Sequence, residues 1–304
     1  MKFFSRFGKN PGDFSLGCRL RAEVWADFNR KLVFNDIRLR KFAAPFPPVG
    51  LMQITSGLTD VKYFASHGAD FWMALSEASP KPLSEYDSIL DFGCGCGRLA
   101  RMFKGYKGYL AGCDIDHRLV TWCSKSLKYM DARLSSVRPP VPFSDNRFEA
   151  VISISVFSHL TESSQDQFLQ ELNRVCRPGG RLFLTIHGKR AIDSALSDPR
   201  IMKMLNVDQD LFRAAVEKFN HGEHAFILQH GHLTTTGPNK FPEKDLISEP
   251  YDYGITFIPE TYLHSHWTKW FNIIDYRVGA IHDFQDIVVL EPKINQKEIS
   301  DTKE

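Results

Sequence analysis

From residue 88 onward, short apolar runs alternate along the chain with segments whose apolar positions recur at helical spacing. A short continuous apolar run bounded by turn residues is typical of a strand buried on both faces. Four runs fit that description: Ser88–Asp91, Gly108–Cys113, Phe148–Ser153 and Arg181–Ile186. Helical spacing is found over Arg98–Phe103, over Leu119–Leu127 and after the predicted N-cap Thr161. The alternation predicts an α/β fold with a doubly wound, mostly parallel sheet and helices on both faces.

We assign this alternating core to residues 86–188 and expect four further regions around it. Residues 1–85 form a partly helical N-terminal extension, in which Gly68 ends one short helix before the next begins. Residues 189–250 form a cap insertion with one amphipathic helix, through Leu211 to Phe219. Residues 251–292 return to the core sheet with two strands joined by a turn, Phe271–Tyr276 and Asp286–Leu290, and residues 293–304 form a charged, disordered tail.

The composition indicates the broad class of protein but says little about its binding partners. The 304 residues are 43% hydrophobic and 24% charged, as in a soluble globular enzyme. A net charge of +2 does not indicate binding to nucleic acid or to a membrane surface. No apolar run approaches the roughly 20 residues that a membrane-spanning helix needs. The six cysteines lack a paired framework, so we expect free thiols in a reducing compartment and a cytoplasmic protein.

The segment with the clearest chemistry begins where the first predicted strand ends, at Asp91-Phe92-Gly93-Cys94-Gly95-Cys96-Gly97. About twenty residues later the second strand ends in another acid, Asp114. Glycines at such a turn let the backbone approach a ligand at a helix N-terminus, and the later carboxylate can accept the hydroxyls of a ribose. Cys94 and Cys96 have no second ligand pair nearby, so we expect no metal at this turn.

This motif resembles motif I of class I S-adenosylmethionine-dependent methyltransferases. Three other segments resemble that family in the same order: the approach to its fourth strand, the motif before its fifth strand and its C-terminal antiparallel hairpin (Pro142–Val151, Arg177–Leu182 and the closing strand pair). The glycine turn together with Ser155–Thr161 and Thr185–Gly188 resembles a bacterial subgroup associated with small-molecule and glycan enzymes. The resemblance covers roughly residues 86–188 and 270–291 and implies S-adenosylmethionine as cofactor.

The resemblance also implies roles for single residues. The turn glycines would let the backbone pack against the cofactor, and Asp91 would orient its amino end. Asp114 would accept both ribose hydroxyls, and Ile115 would lie against the adenine. The glycines meant here are Gly93, Gly95 and Gly97.

A hydroxyl acceptor needs a base, and two histidines lie at predicted strand ends. His159 follows the fourth family strand and His187 the fifth, so either could deprotonate a hydroxyl. A structural histidine bonded to a loop carbonyl is an equal alternative for each. Four cap histidines are interpreted as a substrate-contacting lid, with plain polar surface as the alternative: His221, His224, His230 and His232. A metal site is disfavoured, because no periodic scaffold aims their rings.

Together these features predict a methyltransferase that acts on a small molecule or glycan, at a hydroxyl. The motifs typical of DNA base, cytosine C5 and arginine methylation are absent, so we expect no nucleic-acid partner. One alternative is a methyltransferase-like binding protein without turnover. The other is a nicotinamide-dependent oxidoreductase, disfavoured because Arg98 stands where its third glycine belongs. The oligomeric state stays open.

Overall fold

The computed structural model describes residues 20–233 and 247–293. The chain divides into two compact units, one of residues up to 137 with 233–251, the other of residues 138–232 with 252–304. Residues 1–19, 234–246 and 294–304 lie outside the described residues. They include Cys18, part of the predicted cap and nearly all of the predicted tail.

The first unit contains a helical N-terminal part followed by three parallel strands in the order β3-β2-β1. Strand β1 pairs with β2 from Ser88 opposite Tyr109 to Phe92 opposite Cys113. The elements are α1 Ala22–Asp27, a π-helical turn Phe28–Leu32, α2 Val33–Asn35, a 3-10 helix Ile37–Phe42, α3 Val49–Ser56, α4 Val61–Ala78, a 3-10 helix Leu83–Glu85, β1 Ser88–Phe92, a 3-10 helix Ala100–Phe103, β2 Tyr109–Asp114, α5 His117–Ser126 and β3 Met130–Leu134.

Two predicted boundaries in this unit are wrong. Helix α4 runs through Gly68 instead of ending there, and a Cβ at Gly68 would lie only 2.7 Å from the backbone oxygen of Arg98. This glycine therefore permits a close approach between two backbones and does not terminate a helix. The helix predicted over Arg98–Phe103 is reduced to a 3-10 helix over Ala100–Phe103.

The N-terminal helices are tied to the strands by buried polar contacts. Arg101 is 1% exposed and donates to the backbone oxygens of Pro45 and Ala44, both at 2.9 Å. The indole Nε1 of Trp25 donates to the oxygen of Met102 at 2.7 Å. Burial of a charged group is tolerated only when its donors are satisfied, so these bonds fix the extension to the segment that follows the glycine turn.

The second unit contains β4 and β5 in parallel, followed across the sheet by β9 and β8, each antiparallel to its neighbour. The elements are β4 Phe148–Ser153, a 3-10 helix Phe157–His159, α6 Glu162–Val175, β5 Cys176–Ile186, α7 Lys189–Ser197, α8 Pro199–Leu205, α9 Gln209–Asn220, β6 Ala225–Leu233, β7 Tyr251–Phe257, α10 Glu260–His266, a 3-10 helix Trp267–Lys269, β8 Phe271–Ile281 and β9 Gln285–Pro292.

The expected fold class is confirmed, since parallel strands joined by helices are followed by an antiparallel C-terminal pair. Thr161 caps α6, its hydroxyl accepting from the backbone N–H of Ser164. Pro178-Gly179-Gly180 lies inside β5, which starts at Cys176, and not in a loop before the strand. Within the two described ranges, no helix is long and apolar enough to cross a membrane.

The insertion is more ordered than its sequence suggested. Where one amphipathic helix was predicted, three helices are followed by a strand, β6, which pairs with β7. One face of each element joins a shared apolar cluster that includes Ile192, Phe212, Ile227 and Phe257. Helices α7 and α8 are only 9 and 7 residues long, so each has too few apolar positions for the helical period to be detected in the sequence.

Candidate functional site

The glycine turn opens directly after β1 in the first unit. The backbone N–H groups of Gly93 and Cys94 both donate to the oxygen of Cys113, at 2.9 and 3.0 Å. Gly93, Gly95 and Gly97 have φ of +74°, +54° and +81°. Only glycine adopts this left-handed region without a steric cost, so the backbone conformation itself requires the predicted glycines.

Neighbouring side chains also occupy the space that a Cβ would need at two of these glycines. A Cβ at Gly97 would lie 2.5 Å from Cδ1 of Leu127, and one at Gly95 would overlap the side chain of Thr55. Thr55 also accepts the backbone N–H of Cys96 at 3.1 Å through Oγ1. Sequence reasoning missed Thr55, because it lies on α3, 41 positions before its partner, with no local signal.

Asp114 lies where β2 ends and is bonded to the turn. Its Oδ2 accepts the N–H of Gly95 at 2.8 Å, and its Oδ1 accepts that of Asp116 at 2.9 Å. Burial raises the pKa of Asp114 to about 6, although these two backbone hydrogen bonds oppose the shift. The group is therefore mostly ionised at pH 7 and keeps an acceptor lone pair on each oxygen.

Asp91 lies where β1 ends and is only 3% exposed. No donor among the described residues reaches its Oδ2. Burial raises the pKa of Asp91 to about 7, and the charge of Asp114 raises it further while that of Arg98 lowers it. A buried carboxyl oxygen without a donor is costly, which indicates that a cationic or hydrogen-bonding ligand group belongs beside it.

The remaining cofactor candidate and the cysteines complete this part of the first unit. Ile115 follows Asp114 and is partly exposed. The cysteines of the described ranges are free and buried, as expected for thiols in a core: Cys94, Cys96, Cys113, Cys123 and Cys176. Burial raises the pKa of Cys96 to about 12, so this thiol stays protonated.

In the second unit, His159 lies at the end of the short 3-10 helix that follows β4. Its Nδ1 lies 2.8 Å from the backbone oxygen of Gly254, and its ring stacks on that of Tyr253 at 4.7 Å. A carbonyl oxygen can only accept, so Nδ1 carries the proton and the neutral ring keeps a lone pair on Nε2. The Tyr253 hydroxyl lies 3.4 Å from this Nε2.

His187 follows β5 in the same unit and lies in a different environment. It is 3% exposed, its ring contacts those of Phe257 and Phe284, and no partner within the described ranges reaches its Nδ1. Burial lowers its pKa to about 3, and the neighbouring His159, 6.2 Å away between ring centroids, lowers it further.

A strained residue lies between β4 and His159. Ser155 has φ of +57°, which is unusual for a residue other than glycine. Its N–H donates to Oγ1 of Thr185 at 2.7 Å, and its hydroxyl and the Gln285 side chain are hydrogen-bonded to each other. Such strain is held only where surrounding contacts fix it, which is typical of functional sites. Sequence reasoning named this segment but not the strain.

The four cap histidines lie in different environments. His221, His230 and His232 are exposed, whereas His224 is partly buried with its ring 5.7 Å from that of Tyr262. Burial lowers the pKa of His224 to about 4. In the part of the chain that the structure describes, no three His, Cys, Asp or Glu side chains are arranged to hold a metal ion.

Comparison with known proteins relates part of the chain to methyltransferases by sequence. Residues 90–184 match the family described as "Methyltransferase domain". Over 109 residues the chain is 33% identical to "tRNA (carboxymethyluridine(34)-5-O)-methyltransferase" of Arabidopsis thaliana, covering 36% of this chain and 26% of that protein. Over 115 residues it is 32% identical to "Ubiquinone biosynthesis O-methyltransferase, mitochondrial" of Homo sapiens, covering 36% of this chain and 31% of that one.

The fold is shared with a solved structure, the PH0226 protein from Pyrococcus horikoshii OT3. The TM-score is 0.54 at 16% identity, and the match covers 82% of this chain and 100% of that one. The chain spans about a quarter to a third of the two curated relatives named above. The sequence match to a methyltransferase domain is therefore limited to residues 90–184, whereas the shared fold extends over 82% of the chain.

Proposed function

We propose that the protein transfers the methyl group of S-adenosylmethionine to a hydroxyl of a small molecule or glycan. The observation that carries the proposal is the glycine turn, with the Asp91 oxygen that has no donor in the described structure beside it and Asp114 bonded to it. The cofactor supplies a methyl group activated on a sulfonium. It also carries an ammonium group, which matches the buried carboxyl of Asp91, and a ribose diol, which matches the partly exposed carboxylate of Asp114.

Each cofactor-binding residue then has a role that its contacts support. The left-handed backbone at Gly93, Gly95 and Gly97 forms the tight turn, whose backbone then lies against the ligand. Asp114 accepts the two ribose hydroxyls through the lone pairs that Gly95 and Asp116 leave free. Asp91 accepts from the ammonium group, and Ile115 packs against the adenine.

For the acceptor we propose His159 as general base. The Gly254 carbonyl holds the tautomer in which Nε2 is unprotonated, and burial lowers the pKa of His159 below its ordinary value, so the ring is neutral at pH 7. A hydroxyl that approaches Nε2 can transfer its proton there, which leaves its oxygen as the nucleophile that accepts the methyl group. His187 is a poorer candidate, because it is enclosed by aromatic rings.

A second acceptor class deserves a direct test, since two relatives are named as tRNA (carboxymethyluridine(34)-5-O)-methyltransferases. Those names do not support the exclusion of nucleic acid that the sequence motifs suggested. A net charge of +2 offers no general attraction for a polyanion, so we place a small hydroxyl acceptor first. Oxygen is the methylated atom in both proposals.

The first test is calorimetric binding of S-adenosylmethionine and of its demethylated product. We expect Asp114→Ala to weaken binding at least about tenfold, which is about 1.4 kcal/mol. Asp60→Ala is the matched control, because Asp60 caps α4 and takes no part in the glycine turn. Equal binding by wild type and Asp114→Ala, or no binding at all, contradicts the cofactor assignment.

The second step measures methyl transfer to hydroxyl-bearing small molecules, to glycans and to tRNA that carries carboxymethyluridine at position 34, side by side. Transfer to a small molecule or glycan supports the proposal, and transfer to tRNA alone replaces it with the second class. Tight cofactor binding without transfer to any acceptor favours a binding protein without turnover. Bound NAD in place of S-adenosylmethionine would revive the oxidoreductase alternative.

A further inference from the structure

The second unit contains a cavity that the proposed chemistry does not use. Its volume is about 400 Å³, within the range of ligand sites. It is lined by Asn146 just before β4, by Gln170 and Asn173 on α6, and by Trp270 just before β8. His159 follows the opposite end of β4, six residues of strand away, which is roughly 20 Å. The cavity is therefore separate from the proposed base in the same unit.

The charges around the cavity cancel. Arg174 lines it, but its guanidinium donates to the carboxylates of Glu171 and Asp145. These partners raise the pKa of Arg174, which stays charged and paired with the two carboxylates. Lys293 also lines the cavity and donates to the backbone oxygen of Thr268. With two basic and two acidic side chains, this arrangement offers no net charge to an anion.

The uncharged groups are those that bind hydroxyls. Asn146, Gln170 and Asn173 each carry a carbonyl acceptor and an amide donor on one side chain, the combination that a row of vicinal hydroxyls can satisfy. The Oδ1 of Asn173 is buried and meets no donor within the described ranges. A buried acceptor without a donor is costly, so a hydrogen-bonding ligand group beside Asn173 would relieve that cost.

Trp270 adds a flat apolar surface to this polar lining. Its indole is partly exposed and contacts His266 edge-on, with 5.7 Å between ring centroids. A broad ring next to several carboxamides suits a ligand that is polar around its rim and apolar on its faces. A pyranose ring has this character, because its hydroxyls point outward and its C–H groups cover the faces.

We propose that this cavity binds a pyranose unit of a neutral carbohydrate, stacked on Trp270 and hydrogen-bonded by the three carboxamides. A nucleotide or inorganic phosphate is less suited, because Arg174 is already paired with two carboxylates. The sugar could be free or could be one residue of a longer glycan. The proposal does not depend on the methyl acceptor, since the cavity and His159 lie at opposite ends of β4.

The test uses the full chain and ligand-observed saturation-transfer NMR, with affinities measured by calorimetry. The probes are the methyl glycosides of glucose, galactose, mannose and N-acetylglucosamine, a linear oligosaccharide of each, inorganic phosphate and AMP. We expect millimolar or tighter binding of at least one sugar, and no competition with that sugar by phosphate or AMP. A tighter oligosaccharide indicates a glycan as the source, and equal affinity indicates a free monosaccharide.

Two variants separate this site from general damage. Asn173→Leu and Trp270→Leu should weaken sugar binding at least tenfold, whereas Trp270→Phe should keep most of it. Asn272→Leu is the matched control, an exposed residue of β8 outside the cavity. Asn173→Leu removes an acceptor that lacks a donor, so its melting temperature should not fall. Binding of S-adenosylmethionine should be unchanged in all four.

The proposal is overturned if no sugar binds at about 10 mM. It is also overturned if binding persists undiminished in both Asn173→Leu and Trp270→Leu. Phosphate or AMP binding that depends on Trp270 and Asn173 would make this an anion site instead. Because the readout is sugar binding, failure here leaves the methyltransferase proposal intact, and loss of cofactor binding leaves this one intact.

Discussion

The glycine turn of the first unit and the surroundings of His159 in the second unit fix their polar groups in different ways. At the turn, backbone groups of residues next to β1 and β2 hold each other, and Asp114 is bonded to Gly95, only 19 positions away. At His159 the partner is Gly254, 95 positions along the chain. A cofactor-binding turn is thus built from neighbouring sequence, whereas the proposed base depends on a long-range contact.

The largest effect should come from removing the proposed base. We expect His159→Gln to lower kcat about 10²- to 10⁴-fold, the usual contribution of general base catalysis. Binding of S-adenosylmethionine should not change, because His159 makes none of the contacts that hold the glycine turn. Single-turnover methyl transfer and calorimetry on the same samples measure both quantities.

His187→Phe is the matched control for this variant. His187 is buried among aromatic rings, so phenylalanine should leave kcat within about tenfold of wild type. The assignment of the base is wrong if His187→Phe loses more activity than His159→Gln.

The same contrast explains what could be predicted from sequence. The strand ends, the turn glycines and Asp114 follow from residues close together in the chain, where spacing and glycine content carry the signal. Thr55, Gly254 and Tyr253 could not be predicted, because no local pattern marks a residue whose partner lies 41, 95 or 94 positions away, respectively. The interpretation of Gly68 as a helix end was wrong for a related reason. The absence of a Cβ at Gly68 makes room for the backbone of Arg98, which lies far away in the sequence.

The second largest effect should come from adding a single methyl group to the turn. In Gly95→Ala the left-handed φ costs about 1–2 kcal/mol, and the overlap with Thr55 adds about 1–3 kcal/mol. We expect a lower melting temperature and at least tenfold weaker binding of S-adenosylmethionine. Thermal unfolding and calorimetry measure these effects.

Gly57→Ala separates the two costs of Gly95→Ala. Gly57 has φ of +70° but no heavy atom within 4 Å of an added Cβ, so only the backbone cost applies. Its cofactor affinity should equal that of wild type. If Gly57→Ala weakens the cofactor as much as Gly95→Ala does, general instability explains both and the turn has no special role.

A smaller, pH-dependent effect tests Asp91. The pKa of Asp91 is about 7 in the free protein, so the carboxyl is increasingly protonated below that pH. The contact with the ammonium group needs the ionised carboxyl, so affinity for S-adenosylmethionine should fall below pH 7, approaching tenfold per pH unit. Asp114, with a pKa of about 6, would steepen the fall below pH 6.

Asp91→Asn should bind more weakly at pH 8 and should lose the part of the pH dependence that lies between pH 6 and 8. Calorimetry in buffers of different ionisation heat also counts the protons released on binding. Binding by wild type that is flat from pH 5 to 8 would contradict a direct contact between Asp91 and the ammonium group.

The smallest expected effect concerns Tyr253, whose hydroxyl lies 3.4 Å from Nε2 of His159. A hydrogen bond this long contributes little, so Tyr253→Phe should change kcat less than about fivefold. A donor to Nε2 stabilises the neutral ring, so its removal should move the acid limb of the kcat/KM profile to higher pH. Tyr253→Leu also removes the ring stacked on His159 and should cost more. A loss above about 10² in Tyr253→Phe would make Tyr253 the group that handles the proton, and the long-range contact to Gly254 would then serve only to position a ring.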